Sequence, residues 1–197
     1  MKKILSITIC IIMIAISFAG CSSPNAEMTE ENITKTVETV ETALKEFDTD
    51  KLGKYVDSPT LTTIITYSKG HEQFTKLGQA IFENLTIEIT NIDIENSTVT
   101  ISVSNKDLSY TANNFAKELK EQFSSFQLLA NLNNDDFLDS KLQWLCNEIE
   151  RAEMLPNAYE ITLSIEQRDK NLVLSFDDGA EDAVSGGALT GIKKIYK

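Results

Sequence analysis

The chain has 197 residues, 42% of them hydrophobic, and a formal net charge of −12 at pH 7. Such an acidic surface excludes nucleic-acid binding by phosphate neutralisation and is repelled by anionic lipid headgroups. Three cysteines, at positions 10, 21 and 146, supply neither a disulfide framework nor a zinc-ligating pair, and no metal or cofactor is expected.

The first 21 residues read as a targeting segment. Lys2 and Lys3 form a positive n-region, and Ile4 to Ile16 is apolar apart from Ser6 and Thr8. Small residues then precede a cysteine in Ser17-Phe18-Ala19-Gly20-Cys21. This stretch resembles the lipobox of bacterial surface lipoproteins, with Phe18 where leucine is usual. The resemblance implies diacylglycerol on the Cys21 sulfur, cleavage before it, and display on the extracytoplasmic face of the cell membrane. Two alternatives stay open. Ser17-Phe18-Ala19 is also a small-x-small triplet at which cleavage would release the protein. An uncleaved anchor would fall short of the roughly 20 apolar residues that span a bilayer.

Loss of residues 1–20 removes two lysines and no acids, taking the charge from −12 to −14. Residues 21–29 then form the lipidated cysteine and a short tether. From Ser22 to Thr29 it reaches at most about 28 Å, so the domain at 30–197 works close to the membrane. Only two arginines against abundant Lys, Asn and Ile point to an AT-rich genome and favour a Gram-positive host.

Ile33, Val37, Val40, Leu44 and Phe47 recur at helical spacing behind Glu30 and Glu31, and Asp48-Thr49-Asp50 stops that helix. A short amphipathic piece carries Leu52, Tyr55 and Val56. Ser58-Pro59 reads as an N-cap followed by a first-turn proline, opening a helix with Leu61, Ile64 and Ile65 that Gly70 closes. Another helix begins near His71 with Phe74, Leu77, Ile81 and Phe82. The period then falls to two. Leu85, Ile87 and Ile89 alternate with polar residues, while Ile92 and Ile94 continue one residue out of phase. That slip predicts a β-bulge near Thr90–Asn91. A turn at 95–98 returns the chain as Val99, Ile101 and Val103.

A helical pair at 107–153 follows, with Leu108, Phe115, Leu119, Phe123, Phe126 and Leu129 on one long face and Leu138, Leu142, Leu145 and Ile149 on the second. The last hairpin runs from Tyr159, Ile161, Leu163 and Ile165 to Leu172, Leu174 and Phe176. A final helical segment carries Val184, Leu189, Ile192 and Ile195, with Gly186-Gly187 as its weak point. The fold class expected is α+β with an antiparallel sheet, because short turns cannot join parallel strands.

The leading helix at 30–47, the two late hairpins and the run Ser185-Gly186-Gly187-Ala188-Leu189 are similar to the NTF2-like (cystatin-like) fold. That likeness covers most of residues 30–197 and implies N-terminal helices packed into a curved antiparallel sheet shaped as a cone. The helical pair between the hairpins is an insertion relative to that pattern.

Candidate chemistry is sparse. Asp48, Asp50 and Gly53 begin like a calcium loop, but Leu52 and Pro59 stand where oxygen ligands belong, so they read as an interhelical cap. Asp177, Asp178, Glu181 and Asp182 cluster beside Gly179 and read as a solvated turn that also loads acids at a helix start. His71, the only histidine, is the one obvious general base, and it sits at a helix junction. No nucleophile elbow, phosphate loop or metalloprotease helix occurs. Cys146 reads as a packing residue. The mouth of a cone is a natural pocket for a small apolar ligand, and Tyr55, Tyr67, Trp144 and Tyr159 are the rings able to line it. The expectation is a non-enzymatic lipoprotein that binds a small molecule or an envelope protein partner. The rivals are a small-molecule enzyme in the same cone and a structural subunit of the envelope.

Overall fold

The computed structural model describes residues 27–131 and 133–193, with no side-chain detail for Tyr67, Ile192 or Lys193. The targeting segment, Cys21, most of the tether and Ile195 lie outside the described residues. No helix among the described residues is long and apolar enough to cross a membrane.

Helix α1 (Glu30–Glu46) starts where Thr29 accepts the Asn32 amide at 3.2 Å. Its buried stripe of Ile33, Val37, Val40 and Leu44 packs on the sheet. Each such side chain contributes about 2 kcal/mol on burial. The helix ends in a Schellman arrangement: the Phe47 amide donates to Leu44 O at 3.0 Å and the Asp48 amide to Ala43 O at 2.9 Å. Asp48 then caps α2 (Thr49–Tyr55), so the Asp-Thr-Asp segment is an interhelical cap. The chain passes through a two-residue strand β1 (Val56–Asp57) into α3 (Pro59–Ser68) and α4 (Glu72–Phe82).

Strands β2 (Thr86–Asp93) and β3 (Thr98–Ser104) form the first hairpin. Ile87 and Ile89 lie opposite Val103 and Ile101, and Ile92 opposite Val99, with the register shifting between Ile89 and Asn91. Thr90 is therefore the extra residue of the expected bulge. It keeps all three isoleucines opposite the core-facing residues of β3, which are 0% exposed. Strands β4 (Tyr159–Arg168) and β5 (Asn171–Ser175) form the second hairpin, with β4 antiparallel to β3.

Two expectations are corrected. The sheet is mixed, in the order β1-β5-β4-β3-β2, because β1 pairs with β5 in parallel through Val56–Leu174 and Asp57–Ser175. The long chain between them removes the short-turn constraint that makes the other pairs antiparallel. The sheet is open, not closed into a cone. Its outward face is polar, with the Thr100 and Thr162 hydroxyls 3.0 Å apart.

The inserted region also differs from a simple pair. The long face divides into α5 (Ser109–Gln122) and α6 (Ser125–Asn131), followed by α7 (Asp135–Arg151). The break is a capping box: the Ser124 amide donates to Gln127 Oε1 at 2.8 Å and the Gln127 amide to Ser124 Oγ at 3.3 Å. These helices do not cover the sheet. Helix α7 packs on α4, and α5 on the C-terminal helix α9 (Ala188–Lys193), around a second small core of Leu108, Leu145 and Ile149. The preceding α8 (Asp178–Val184) parts from α9 at Gly186–Gly187. At Gly186, φ is +62° and a Cβ would lie 1.9 Å from Lys106 O, so only glycine fits.

Candidate functional site

Beside the β1 edge of the sheet the helices leave an apolar cavity of about 230 Å³. That is just under the range of about 300–1,000 Å³ common for ligand sites. Leu44 and Phe47 close it from α1, Leu61 and Ile64 from α3, Phe74 and Phe82 from α4, and Val184 and Ala188 from the C-terminal helices. The cavity lies among helices, not at the mouth of a cone. Among the described residues the lining contains no lysine, arginine or histidine.

One carboxylate breaks the apolar wall. Glu181, on α8, is 9% exposed. Its Oε1 accepts the Ser58 hydroxyl in a short hydrogen bond and the Thr60 amide at 3.2 Å. Ser58 Oγ in turn accepts the Leu61 amide at 2.9 Å, which is the N-cap expected from Ser58-Pro59. Pro59 has no amide to satisfy. Glu181 thus acts as a second cap for α3 from a distant part of the chain, with its charge at the positive end of the helix. Oε2 is buried and has no hydrogen-bond partner among the described residues.

Asn105 holds the opposite wall. It is 1% exposed, and its side-chain amide donates to Ile81 O at 3.0 Å and Val184 O at 2.7 Å. Those carbonyls belong to the last turns of α4 and α8, which have no intrahelical donor. One side chain therefore ends two helices and sets their spacing across the cavity. Next to it, Lys106 Nζ donates to Ile149 O and Glu150 O at 3.1 and 2.7 Å, capping α7.

The described aromatic candidates, Tyr55, Trp144 and Tyr159, do not meet. Tyr55 packs against the main core. Trp144 stacks on Phe115 with ring centres 5.9 Å apart on the helical insertion. Tyr159 is 44% exposed at the start of β4, and no side-chain position is described for Tyr67. None of Tyr55, Trp144 and Tyr159 lines the apolar cavity.

The acids at 177–182 also separate. Asp177 caps α8 through the Ala180 amide at 2.8 Å. Asp182 accepts the Thr190 amide and hydroxyl at 2.6 and 2.8 Å, tying α8 to α9, while Glu181 turns inward. Among the described residues no three His, Cys, Asp or Glu side chains converge as a metal site would require. His71 Nδ1 lies 3.1 Å from Asp135 Oδ1 and joins the start of α4 to that of α7; it does not line the cavity. Cys146 is partly buried, and burial pushes its thiol above the ordinary range, away from the reactive thiolate.

The sequence contained Ser58 as a cap and Glu181 as one acid of four, but nothing joined them. The available signal was burial: within Glu181-Asp182-Ala183-Val184, Glu181 lies three residues before Val184 and shares its inward helical face.

No family model matches the sequence, and no curated protein is significantly similar to it. Among solved structures, the chain is similar to a proposed lipoprotein (ycdA) from Bacillus subtilis subsp. subtilis str. 168, at 14% identity and a TM-score of 0.33. The match covers 78% of this chain and 46% of that one, so the chain spans about half the length of that protein.

Proposed function

We propose that the chain is a lipid-anchored extracytoplasmic protein whose domain binds a small, largely apolar molecule without transforming it. The anchor reading rests on the Lys2-Lys3 start, the apolar stretch and Cys21. The binding reading rests on one observation: an apolar cavity with a single buried carboxylate in its wall. This is the usual composition of a ligand site, a hydrophobic lining with few polar groups that fix orientation. The NTF2-like architecture is the finer reading of the α+β fold, supported by the leading helix packed on the two hairpins. In it the ligand space moves from the cone mouth to the helical side.

Against catalysis, Ser58 Oγ donates to Glu181 and accepts from Leu61, so it has no histidine base to activate it. A second reading, contact with a neighbouring envelope protein, is favoured by Phe126 and Leu129 on α6, 81% and 65% exposed.

Two experiments test the proposal. Cys21→Ala should abolish lipid labelling and move the protein out of the membrane fraction; retention there sinks the anchor reading. Native mass spectrometry of the unacylated mature chain, after exposure to extract of its host, should show a discrete added mass that Ala188→Phe removes by filling the cavity. An added mass that survives Ala188→Phe would place binding elsewhere.

A further inference from the structure

We propose that the groove between α5 and α7 is a second binding site, which takes a weakly hydrated organic cation of the alkylated-ammonium class between Tyr110, Trp144 and Glu118. The groove shares no lining residue with the apolar cavity, so the inference does not rest on the binding reading above.

Two observations carry it. The first is the groove itself, about 260 Å³, lined by Tyr110, Asn114 and Glu118 from α5 and by Trp144 and Glu148 from α7. A spacing of four residues places each set on one face of its helix. The second is that both rings in its walls stay open to solvent: Tyr110 is 75% exposed and Trp144 37%. Trp144 is the chain's only tryptophan, a residue type that is highly buried on average. Phe115 stacks on the indole with the ring planes 19° apart, which fixes its orientation without burying it.

The chemistry of the walls then narrows the occupant. Aromatic faces attract cations through the ring quadrupole, tryptophan most strongly. Three carboxylates line the same groove, from Glu118, Glu121 and Glu148. Glu121 has Lys117 at 3.8 Å and Glu148 has Arg151 at 2.8 Å, while Glu118 makes no hydrogen bond or ion pair among the described residues. An anion would meet these carboxylates, and a neutral molecule would leave Glu118 unmatched. A compact ammonium is strongly hydrated and keeps its water in so open a groove. An alkylated ammonium is bulky and weakly hydrated, so it loses little on leaving water and gains contact with both rings.

The test follows the fluorescence of Trp144, since no other tryptophan contributes. The protein is the mature chain with Cys21→Ala, which contains every described element, near pH 7 in about 150 mM salt, where exposed charges are screened over roughly 8 Å. Choline is compared with dimethylbutanol, its neutral carbon isostere, and with phosphocholine. Choline should shift the emission saturably and bind at least about fivefold more tightly than dimethylbutanol. Phosphocholine should bind more weakly than choline, because its phosphate meets the three glutamates. Glu118 and Tyr110 are both exposed, so their substitution leaves the fold intact. Glu118→Gln should cut the preference for choline to within about twofold, and Tyr110→Ala should weaken choline at least about threefold. No saturable shift with choline, or an equal shift with potassium chloride, overturns the inference. So does phosphocholine binding as tightly as choline, a preference that survives Glu118→Gln, or choline affinity untouched by Tyr110→Ala.

Discussion

The ring of Phe47 occupies the space that a side chain at Gly78 would need: a Cβ built there would lie 2.2 Å from Phe47 Cδ2. Phe47 reaches that position from a left-handed backbone, φ 50°, at the residue that ends α1. Glycine is the usual occupant of such a cap, and a bulky side chain there costs roughly 1–2 kcal/mol. The ring offsets the cost by being 3% exposed and stacking on Phe82 at 6.4 Å.

Gly78→Ala should therefore destabilise the protein by about 1–3 kcal/mol through overpacking. In an ordinary helix interior the same change stabilises by up to about 1 kcal/mol, so the sign alone is diagnostic. Urea denaturation with an unchanged slope would measure it. A stabilised variant would mean that Phe47 is free to move aside.

Asn105→Ala should cost about 2–4 kcal/mol, since it strands the Ile81 and Val184 carbonyls in the interior and removes three hydrogen bonds, the third from the Lys106 amide to Asn105 Oδ1. Asn105→Asp should be at least as damaging, because a carboxylate has no hydrogen to offer either carbonyl. Hydrogen exchange should show the last turns of α4 and α8 opening first. Protection unchanged in those turns would show that the two helix ends do not depend on this side chain.

The acid limb of stability has a definable contributor in Asp48. The Lys51 amide, 3.0 Å from Oδ1, and then the Lys51 ammonium hold its carboxyl below the ordinary carboxylate range. A carboxyl whose folded pKa lies below its unfolded value of about 3.9 stabilises the fold above that pH, and the contribution disappears as pH falls through the folded pKa. Asp48→Asn keeps a capping oxygen but cannot titrate. Its stability should fall less steeply than the parent's below about pH 4, and by a small margin, because the pair is partly exposed and solvent-screened. Superimposable acid limbs for parent and variant would remove Asp48 from that role.

Local patterns carried much of this architecture. Helical spacing placed α1 and its buried stripe, and the phase slip between Ile89 and Ile92 located the bulge near Thr90–Asn91, because period-two alternation on a half-buried sheet leaves no other way to keep both isoleucines inward. Ser58-Pro59 announced the start of α3 for an equally local reason. The apolar spacing from Leu108 to Leu129 hid the break at Phe123, although Ser124-Ser125-Phe126-Gln127 is itself a readable capping box.

The α+β class followed from the chain alone, since periodicity and turn residues are short-range properties. The parallel β1–β5 pair, the meeting of Ser58 with Glu181 and the closure of two helix ends by Asn105 did not. Each joins segments far apart in the chain, and no local spacing encodes which distant partner will bury a given polar group. Glu181 and Asp182 are adjacent acids on one short helix, yet one turns inward to cap α3 and the other binds the next helix. Which role each takes depends on the neighbours that packing brings against them.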